Sequence, residues 1–235
     1  MNRLEVQKKP SRLFIRWAVF MIGLIIMSFG ISMMIRADLG SAPWDVLHVG
    51  LTLQVGLTVG SWSIIMGFLI IGLTSLLTKE WPKLGGFVNM VLVGVFIDIF
   101  LWILPTPEGL FFKLAMLLIG LVVIGYGIGL YIAPQLGAGP RDSLMIAIQM
   151  KTGWKVQWVR GAMEVVVLSA GWVLGGPIFI GTLLFCFGIG SIVGVTMPQC
   201  QRFVDILLER GSTHENFNQG TLRTHHHDGI SEKVR

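Results

Sequence analysis

Charged residues and cysteines are scarce in this sequence. Asp, Glu, Lys and Arg together make up 13% of the 235 residues, against 53% for hydrophobic residues, and the mean hydropathy is +0.73. Such values exclude an ordinary soluble globular domain and indicate an integral membrane protein. The two cysteines, Cys186 and Cys200, form no CxxC pair. They therefore provide no disulfide framework.

The motifs of common enzymes are also missing. The sequence has no HExxH, GxSxG or GxxxxGKS stretch and no dinucleotide fingerprint, so it lacks the usual local arrangements for a catalytic zinc, a serine nucleophile or a phosphate. His48 has no partner at a ligand spacing, and the run His225–His227 lies in a polar tail without other ligands. We therefore expect no enzymatic activity, no metal and no other cofactor. The formal charge of +5 is better explained by membrane topology than by nucleic acid, and we expect no nucleic-acid partner.

Long apolar runs fill most of the chain. A helix needs about 20 apolar residues to cross a bilayer core of about 30 Å, and six runs approach that length: 13–35, 58–77, 85–104, 110–132, 156–174 and 178–197. The first run is too long for a secretory signal and has no clear cleavage site. The sequence predicts an all-α, polytopic membrane protein with six transmembrane helices.

The basic residues predict the orientation of these spans. With the N-terminus in the cytoplasm, only Arg36 and Lys113 of the 18 Lys and Arg residues fall outside. Cytoplasmic loops carry the excess of Lys and Arg in membrane proteins. We therefore expect residues 1–12 and the tail, residues 198–235, in the cytoplasm. The end of this tail lacks an apolar face, which predicts mostly disordered structure from about position 211.

The two halves of the chain repeat one another. Residues 13–47 align with residues 110–144 without a gap, at a shift of 97 positions, and 14 of these 35 positions are identical. We divide the chain into a first repeat, residues 13–104, and a second, residues 110–197. Each holds three spans, so the second copy enters the membrane from the opposite side. Inverted repeats of this kind are a recurring plan of secondary transporters.

Each repeat also contains a short apolar segment, at 43–54 and at 140–151, that opens with a GxxPxD motif. Pro43 and Pro140 suit the first position of a helix, and Asp45 and Asp142 in the first turn can accept hydrogen bonds from free backbone N–H groups. About twelve residues are too short to cross the membrane. Two interpretations stay open: half-helices that re-enter the membrane and frame a polar path, or surface helices with ordinary acidic caps.

Ionisable residues within or beside the spans are functional candidates, because charge inside a membrane is costly. Asp98 is a candidate proton or cation site, or a hydrogen-bond partner of a neighbouring helix. Arg160 and Glu164 are four residues apart and can pair on one helix face, either as a structural anchor or as a gate. Arg141 is a candidate for contact with an anionic ligand, and the glycines Gly40 and Gly137 allow a tight turn before each half-helix.

Several stretches resemble a known family. LGSAPWDVLHVGL, LGAGPRDSLM, VRGAMEVVVLSAGWVLGG and GTLLFCFGIG are similar to the bacterial YczE-type membrane proteins, which are related to the YitT group. The similarity covers residues 10–205, with Ser143 where the family pattern has Gly. It implies a polytopic protein of the bacterial cytoplasmic (inner) membrane and adds no activity.

Two functions fit these observations. The first is a transporter or channel-like carrier of an unknown small solute, with a site formed by Gly40, Pro43, Asp45, Gly137, Pro140, Arg141 and Asp142, and with Asp98, Arg160 and Glu164 as coupling or gating groups. The second is an accessory or regulatory protein that scaffolds or modulates another membrane or biosynthetic system without transporting anything. The small number of spans also makes a homodimer plausible in the lipid bilayer.

Overall fold

The computed structural model describes residues 10–79, 84–137 and 139–220. These residues form eight α-helices and no strand, which confirms the all-α class. The helices are α1 (Pro10–Ala37), α2 (Pro43–Val55), α3 (Val59–Thr78), α4 (Leu84–Ile103), α5 (Leu110–Ile132), α6 (Pro140–Thr152), α7 (Val156–Val173) and α8 (Ile180–Gly220). Most of the predicted cytoplasmic N-terminus and the run His225–His227 lie outside the described residues.

Five of the described helices are long and apolar enough to cross a membrane. They are α1, α3, α4, α5 and the part of α8 from Ile180 to Leu208, and they coincide with five of the six predicted spans. α7 is not among them, because Gln157, Arg160 and Glu164 lower the hydropathy of its 18 residues. A sixth crossing therefore stays a prediction.

α2 and α6 begin at their prolines, as the sequence predicts. Ala42 and Gly139 are the N-caps with extended backbone, and the proline follows in the first turn, where its missing N–H leaves no hydrogen bond unmade. Both helices have 13 residues, one more than predicted. At 1.5 Å per residue each is about 20 Å long, shorter than the bilayer core.

The helices form two sets of four in the same order. In α1–α4 and in α5–α8 a long helix is followed by a short one and then by two longer ones. The 97-residue shift of the sequence also separates the bounds of α2 from those of α6 and the start of α3 from that of α7. Within the described residues, the order of the helices and these bounds therefore follow the shift of the sequence repeat.

α1 and α5 pack against each other at the centre of the molecule through glycines. A Cβ atom added to Gly30 would lie 2.8 Å from the carbonyl oxygen of Gly120, so no larger residue fits there. Small residues allow this close approach of membrane helices. Gly23 on α1 contacts Tyr131 late in α5, whereas Gly30 contacts Ile124 earlier in α5. The residue numbers increase along α1 while those of the contacted residues on α5 decrease, so the two helices run antiparallel.

The short helix of each half packs on the other half. α2 lies against α7, and α6 lies against α3. In the first of these crossings Gly171 meets the backbone of Leu47, and Gly176 meets the carbonyl of Val46. Each set of four helices therefore completes its packing only with the other set.

The last two helices of each half are arranged differently. α3 packs along α4, with Gly60 against Gly94 and Gly67 against Met90. α7 and α8 make hardly any contact. The positions of α7 that match Gly60 and Gly67 hold Gln157 and Glu164, whose larger side chains do not allow the same close approach.

Arg36 and Lys113, the two basic residues predicted to lie outside the cytoplasm, are at one end of the bundle. Lys113 Nζ is 3.1 Å from Asp38 Oδ2, which joins the start of α5 to the end of α1. Arg36 donates hydrogen bonds to the carbonyl of Leu101 and to Thr106. These contacts show that the ends of α1 and α4 and the start of α5 share one end of the bundle.

α8 is longer than its sequence pattern predicts. It continues as one helix through Pro198 to Gly220, past position 211, where the polar composition predicts loss of regular structure. Residues 221–235 of the predicted tail lie outside the described residues.

Candidate functional site

A cavity of about 180 Å³ lies where the starts of α2 and α6 meet. Polar side chains of six helices contribute to its wall: Asp45 and His48 from α2, Ser63 from α3, Asn89 from α4, Tyr131 from α5, Arg141 and Asp142 from α6, and Arg160 and Glu164 from α7. Much of the remaining wall is apolar, including Met27, Met66, Met90, Met145 and Met163. The cavity thus combines a charged region with an adaptable apolar surface.

The start of α2 places an acid and an imidazole deep in the protein. Asp45 is 2% exposed and His48 is 1% exposed, and three residues of helix bring both to the same face. Asp45 Oδ1 lies 3.8 Å from His48 Nδ1, which is too long for a hydrogen bond. The two groups are therefore neighbours without being bonded.

Several buried polar atoms of this cavity have no hydrogen-bond partner among the described residues. They are Asp45 Oδ1, both ring nitrogens of His48 and Asn89 Nδ2. Burying such groups without a partner costs about 1–3 kcal/mol each, and most buried polar groups in proteins are satisfied. Their concentration in one cavity means that an acceptor, an imidazole and an amide donor are available to a bound molecule.

The start of α6 brings Arg141 across to the other half-helix. Its guanidinium lies over the ring of Trp44, with 4.7 Å between Arg141 Cζ and the ring centroid. This is the geometry of a cation–π interaction. Arg141 makes no hydrogen bond or ion pair within the described part of the chain, so its N–H groups are available in the cavity.

Asp142, in contrast, has a partner. Tyr131 donates a hydrogen bond from its hydroxyl to Asp142 Oδ2, at 3.1 Å. Asn89, Tyr131 and Asp142 all approach the N-cap residue Gly139. The two acids at equivalent positions therefore differ, since Asp142 is held by a tyrosine and Asp45 is not.

The predicted pair on α7 is formed and reaches the same cavity. Arg160 Nε donates to Glu164 Oε1 at 3.0 Å, with side-chain exposures of 55% and 26%. The predicted topology places Arg141 and Arg160 on the cytoplasmic side. Since both line the cavity, they support that orientation less than the cations at the ends of the helices do.

Three predicted site residues do not line the cavity. Gly40 and Gly137 lie in the turns before the half-helices, where each packs against the start of a neighbouring helix: Gly40 against Thr182 of α8 and Gly137 against Gly85 of α4. Gly40 has a φ of 97°, a conformation that favours glycine. Both glycines shape the path of the chain to the site.

Asp98 is the third of these residues. Its Oδ1 accepts a hydrogen bond from the backbone N–H of Gly60 at 2.8 Å, and its Oδ2 accepts one from the hydroxyl of Thr58 at 2.5 Å. Asp98 therefore satisfies free groups at the start of α3 from the neighbouring helix α4. Its proposed role as a coupling group stays a prediction.

Sequence reasoning missed Trp44, His48, Asn89 and Tyr131 as parts of the site. The spacing of Asp45 and His48 was a readable signal, because residues three apart share a helix face. No local signal exists for Asn89 and Tyr131, which come from other helices. Among the described residues, no three His, Cys, Asp or Glu side chains are grouped as a metal would require.

These features define a class, an all-helical polytopic membrane protein with a polar cavity among its helices. Residues 14–198 match the family described as "Family of unknown function (DUF6198)", and the chain belongs to this family. It is 49% identical over 201 residues to the "Uncharacterized membrane protein YczE" of Bacillus subtilis (strain 168), covering 85% of this chain and 94% of that protein. The resemblance to YczE-type membrane proteins is therefore confirmed.

Two further relatives are more distant. An "Uncharacterized protein" of Haemophilus influenzae is 35% identical over 179 residues, which cover 75% of this chain and 80% of the relative. The "Uncharacterized protein YyaS" of Bacillus subtilis (strain 168) is 34% identical over 191 residues, covering 80% and 94%. No solved structure gives a significant match to the chain.

Proposed function

We propose that this protein is a small-solute transporter or channel-like carrier of the bacterial cytoplasmic membrane, with its site in the cavity between the two half-helices. One observation carries the proposal. The starts of α2 and α6 meet in a cavity where buried atoms of Asp45, His48 and Asn89 have no protein partner among the described residues. Discontinuous helices that aim their starts at a central site are a plan of secondary transporters.

The arrangement of the halves supports an inverted repeat of six spans. α1 and α5 are the corresponding first helices, and they run antiparallel, as inverted copies require. α7 is the sixth span of this proposal. Its charged residues Arg160 and Glu164 line the cavity, which is where ionisable residues of membrane helices belong. In this scheme both chain ends lie in the cytoplasm, and the Arg160–Glu164 pair is a gating element beside the site.

A thermal-shift screen followed by a flux assay tests this function. Purified protein is first screened against amino acids, sugars, nucleosides, carboxylates and polyamines, because a ligand of the folded state raises apparent stability. Each hit is then measured by exchange across reconstituted vesicles. We expect at least one exchanged solute, and we expect Asp45→Asn and Asp142→Asn each to reduce its exchange about tenfold or more, a loss of about 1.4 kcal/mol.

Asp38→Asn is the matched control, because it neutralises an acid that pairs with Lys113 at the end of the bundle. This variant should exchange the solute at the wild-type rate. Wild-type exchange by both Asp45→Asn and Asp142→Asn, in protein that remains monodisperse in detergent, argues against the proposed site. A screen and flux assay without any exchanged solute argues against transport itself.

The alternative, an accessory protein, has one structural observation in its favour. α8 extends from Leu208, the end of its apolar part, to Gly220, and this extension offers a surface outside the membrane. The start of the segment 140–156 does not offer one, since it contributes to the cavity, but residues 150–155 at its end are exposed. Truncation after Leu208 separates the two functions: a carrier keeps its flux, whereas an accessory protein loses its co-purifying partner.

A further inference from the structure

We infer that the solute of this cavity is a small zwitterion with an apolar substituent, such as an α-amino acid, whose ammonium group binds Asp45 and whose anionic group binds Arg141. This inference rests on the proposed function and names its substrate class. Its basis is the pairing of charges within the cavity, together with the buried polar atoms that have no partner.

Two charged groups of the cavity, Asp45 and Arg141, make no hydrogen bond within the described residues. Glu164 pairs with Arg160, at 3.0 Å, and Asp142 accepts a hydrogen bond from Tyr131, at 3.1 Å. Asp45 and Arg141 form no direct ion pair with each other or with any other Asp, Glu, Lys or Arg within the described residues, and they attract each other only across a longer distance. A ligand that carries both signs of charge satisfies both groups, whereas a simple cation or anion leaves one of them unpaired.

Asp45 and Arg141 are near enough to attract each other. Arg141 lies over Trp44, the residue that precedes Asp45 in the chain. A ligand that reaches both groups therefore needs its own charges only a few bonds apart, as in an α-amino acid. His48 and Asn89 add unsatisfied atoms beside these groups. Asn89 Nδ2 can donate a hydrogen bond to the carboxylate, and the imidazole of His48 can accept one from the ammonium group or donate one to the carboxylate.

The remainder of the wall suits an apolar side chain. Met27, Met66, Met90, Met145 and Met163 line the cavity, and thioether side chains adapt to apolar ligands of different shape. The sequence alone did not predict this combination, because it requires charges from α2 and α6 and methionines from five helices to meet.

Three compounds that differ in one charge at a time test the inference. L-leucine is the zwitterion, N-acetyl-L-leucine lacks the ammonium group and L-leucinamide lacks the carboxylate. Their affinities for the purified full-length protein are measured by calorimetry in detergent, without any transport step. We expect leucine to bind at least about tenfold more tightly than either derivative. Equal binding of leucine and either derivative overturns the inference, as does an absence of binding by all three.

Two variants assign the charges to their residues. Asp45→Asn should weaken leucine binding and abolish the preference for leucine over N-acetyl-leucine, because no carboxylate remains for the ammonium group. Arg141→Gln should abolish the preference for leucine over leucinamide. Asp38→Asn and Lys113→Gln make the same changes in the ion pair at the end of the bundle and should keep both preferences. Unchanged preferences in the two cavity variants overturn the assignment.

The outcome is separable from that of the proposed function. Leucine binding without exchange across vesicles supports the zwitterion site and contradicts the carrier function. Exchange of a solute other than a zwitterion, with no leucine binding, supports the carrier function and contradicts the zwitterion as its substrate. If a cavity variant does not fold, the discrimination among the three compounds by the wild-type protein still decides the inference.

Discussion

Arg141 lies over the ring of Trp44, at 4.7 Å from its centroid, and the two residues occupy the same place in the two halves of the chain. Each follows the proline that opens a half-helix and precedes the aspartate of the same first turn. The contact therefore joins corresponding points of the two repeats. It brings one cation to the first half-helix, where Asp45 is buried.

Replacement of Trp44 should loosen this junction. Trp44→Ala loses the buried ring and the cation–π contact, which contributes about 0.5–2 kcal/mol, so we expect a clear fall in melting temperature. Trp44→Phe keeps an aromatic ring with a weaker cation–π interaction, so its melting temperature should fall less. In an Arg141→Gln background the change from Trp to Phe should cost less than in the wild type, since coupled residues are not additive. An equal cost in both backgrounds contradicts the interaction.

The glycine contact between α1 and α5 should be intolerant of side chains. Gly30→Val places a Cβ atom 2.8 Å from the Gly120 carbonyl oxygen, so we expect the helices to separate and the folded yield and melting temperature in detergent to fall strongly. Gly72→Val is the matched control on α3, since a Cβ atom there has nothing within 4 Å. Equal behaviour of the two variants would show that the α1–α5 contact is not as close as described.

Asp98 should act through its capping hydrogen bonds. Asp98→Ala leaves the N–H of Gly60 without its acceptor, and loss of a cap costs about 0.5–2 kcal/mol, so the melting temperature should fall. Asp98→Asn keeps one acceptor oxygen and should remain closer to the wild type in stability and in exchange of solute. If Asp98→Asn is stable but loses exchange, the charge itself is needed, and Asp98 is a coupling group.

The ends of the two half-helices should lie on opposite sides of the membrane. Val55 and Thr152 are exposed and correspond to each other across the 97-residue shift. In a background without the native cysteines, an impermeant thiol reagent applied to intact cells should label Val55→Cys, and Thr152→Cys should react only after the cells are opened. Labelling of both positions from one side contradicts the inverted arrangement.

The parts of the fold that sequence predicted are those governed by local chemistry. Prolines and extended caps set the starts of α2 and α6. The length of the apolar runs identified the five helices that can cross a membrane, which are α1, α3, α4, α5 and α8. The pairing of Arg160 with Glu164 also followed from helical spacing. Each of these depends on residues that are neighbours along the chain.

The site was only partly predictable, because its remaining members meet through tertiary packing. Asn89 and Tyr131 reach the cavity from α4 and α5, and nothing in their surrounding sequence marks them as polar wall residues. Asp98 has no cation nearby in the sequence, yet it has partners on α3. The difference between α3–α4 and α7–α8 likewise depends on which glycines face another helix, which a single sequence does not reveal.

The packing of α2 on α7 has a consequence for how the protein is made. α2, with its buried Asp45 and His48, ends at Val55, and α7 begins only at Val156. The ribosome must therefore add about a hundred residues before the helix that covers α2 exists. During that interval the insertion machinery or the water at the membrane surface has to provide a polar environment for this charged helix. The final placement of α2 is therefore a late event of biogenesis.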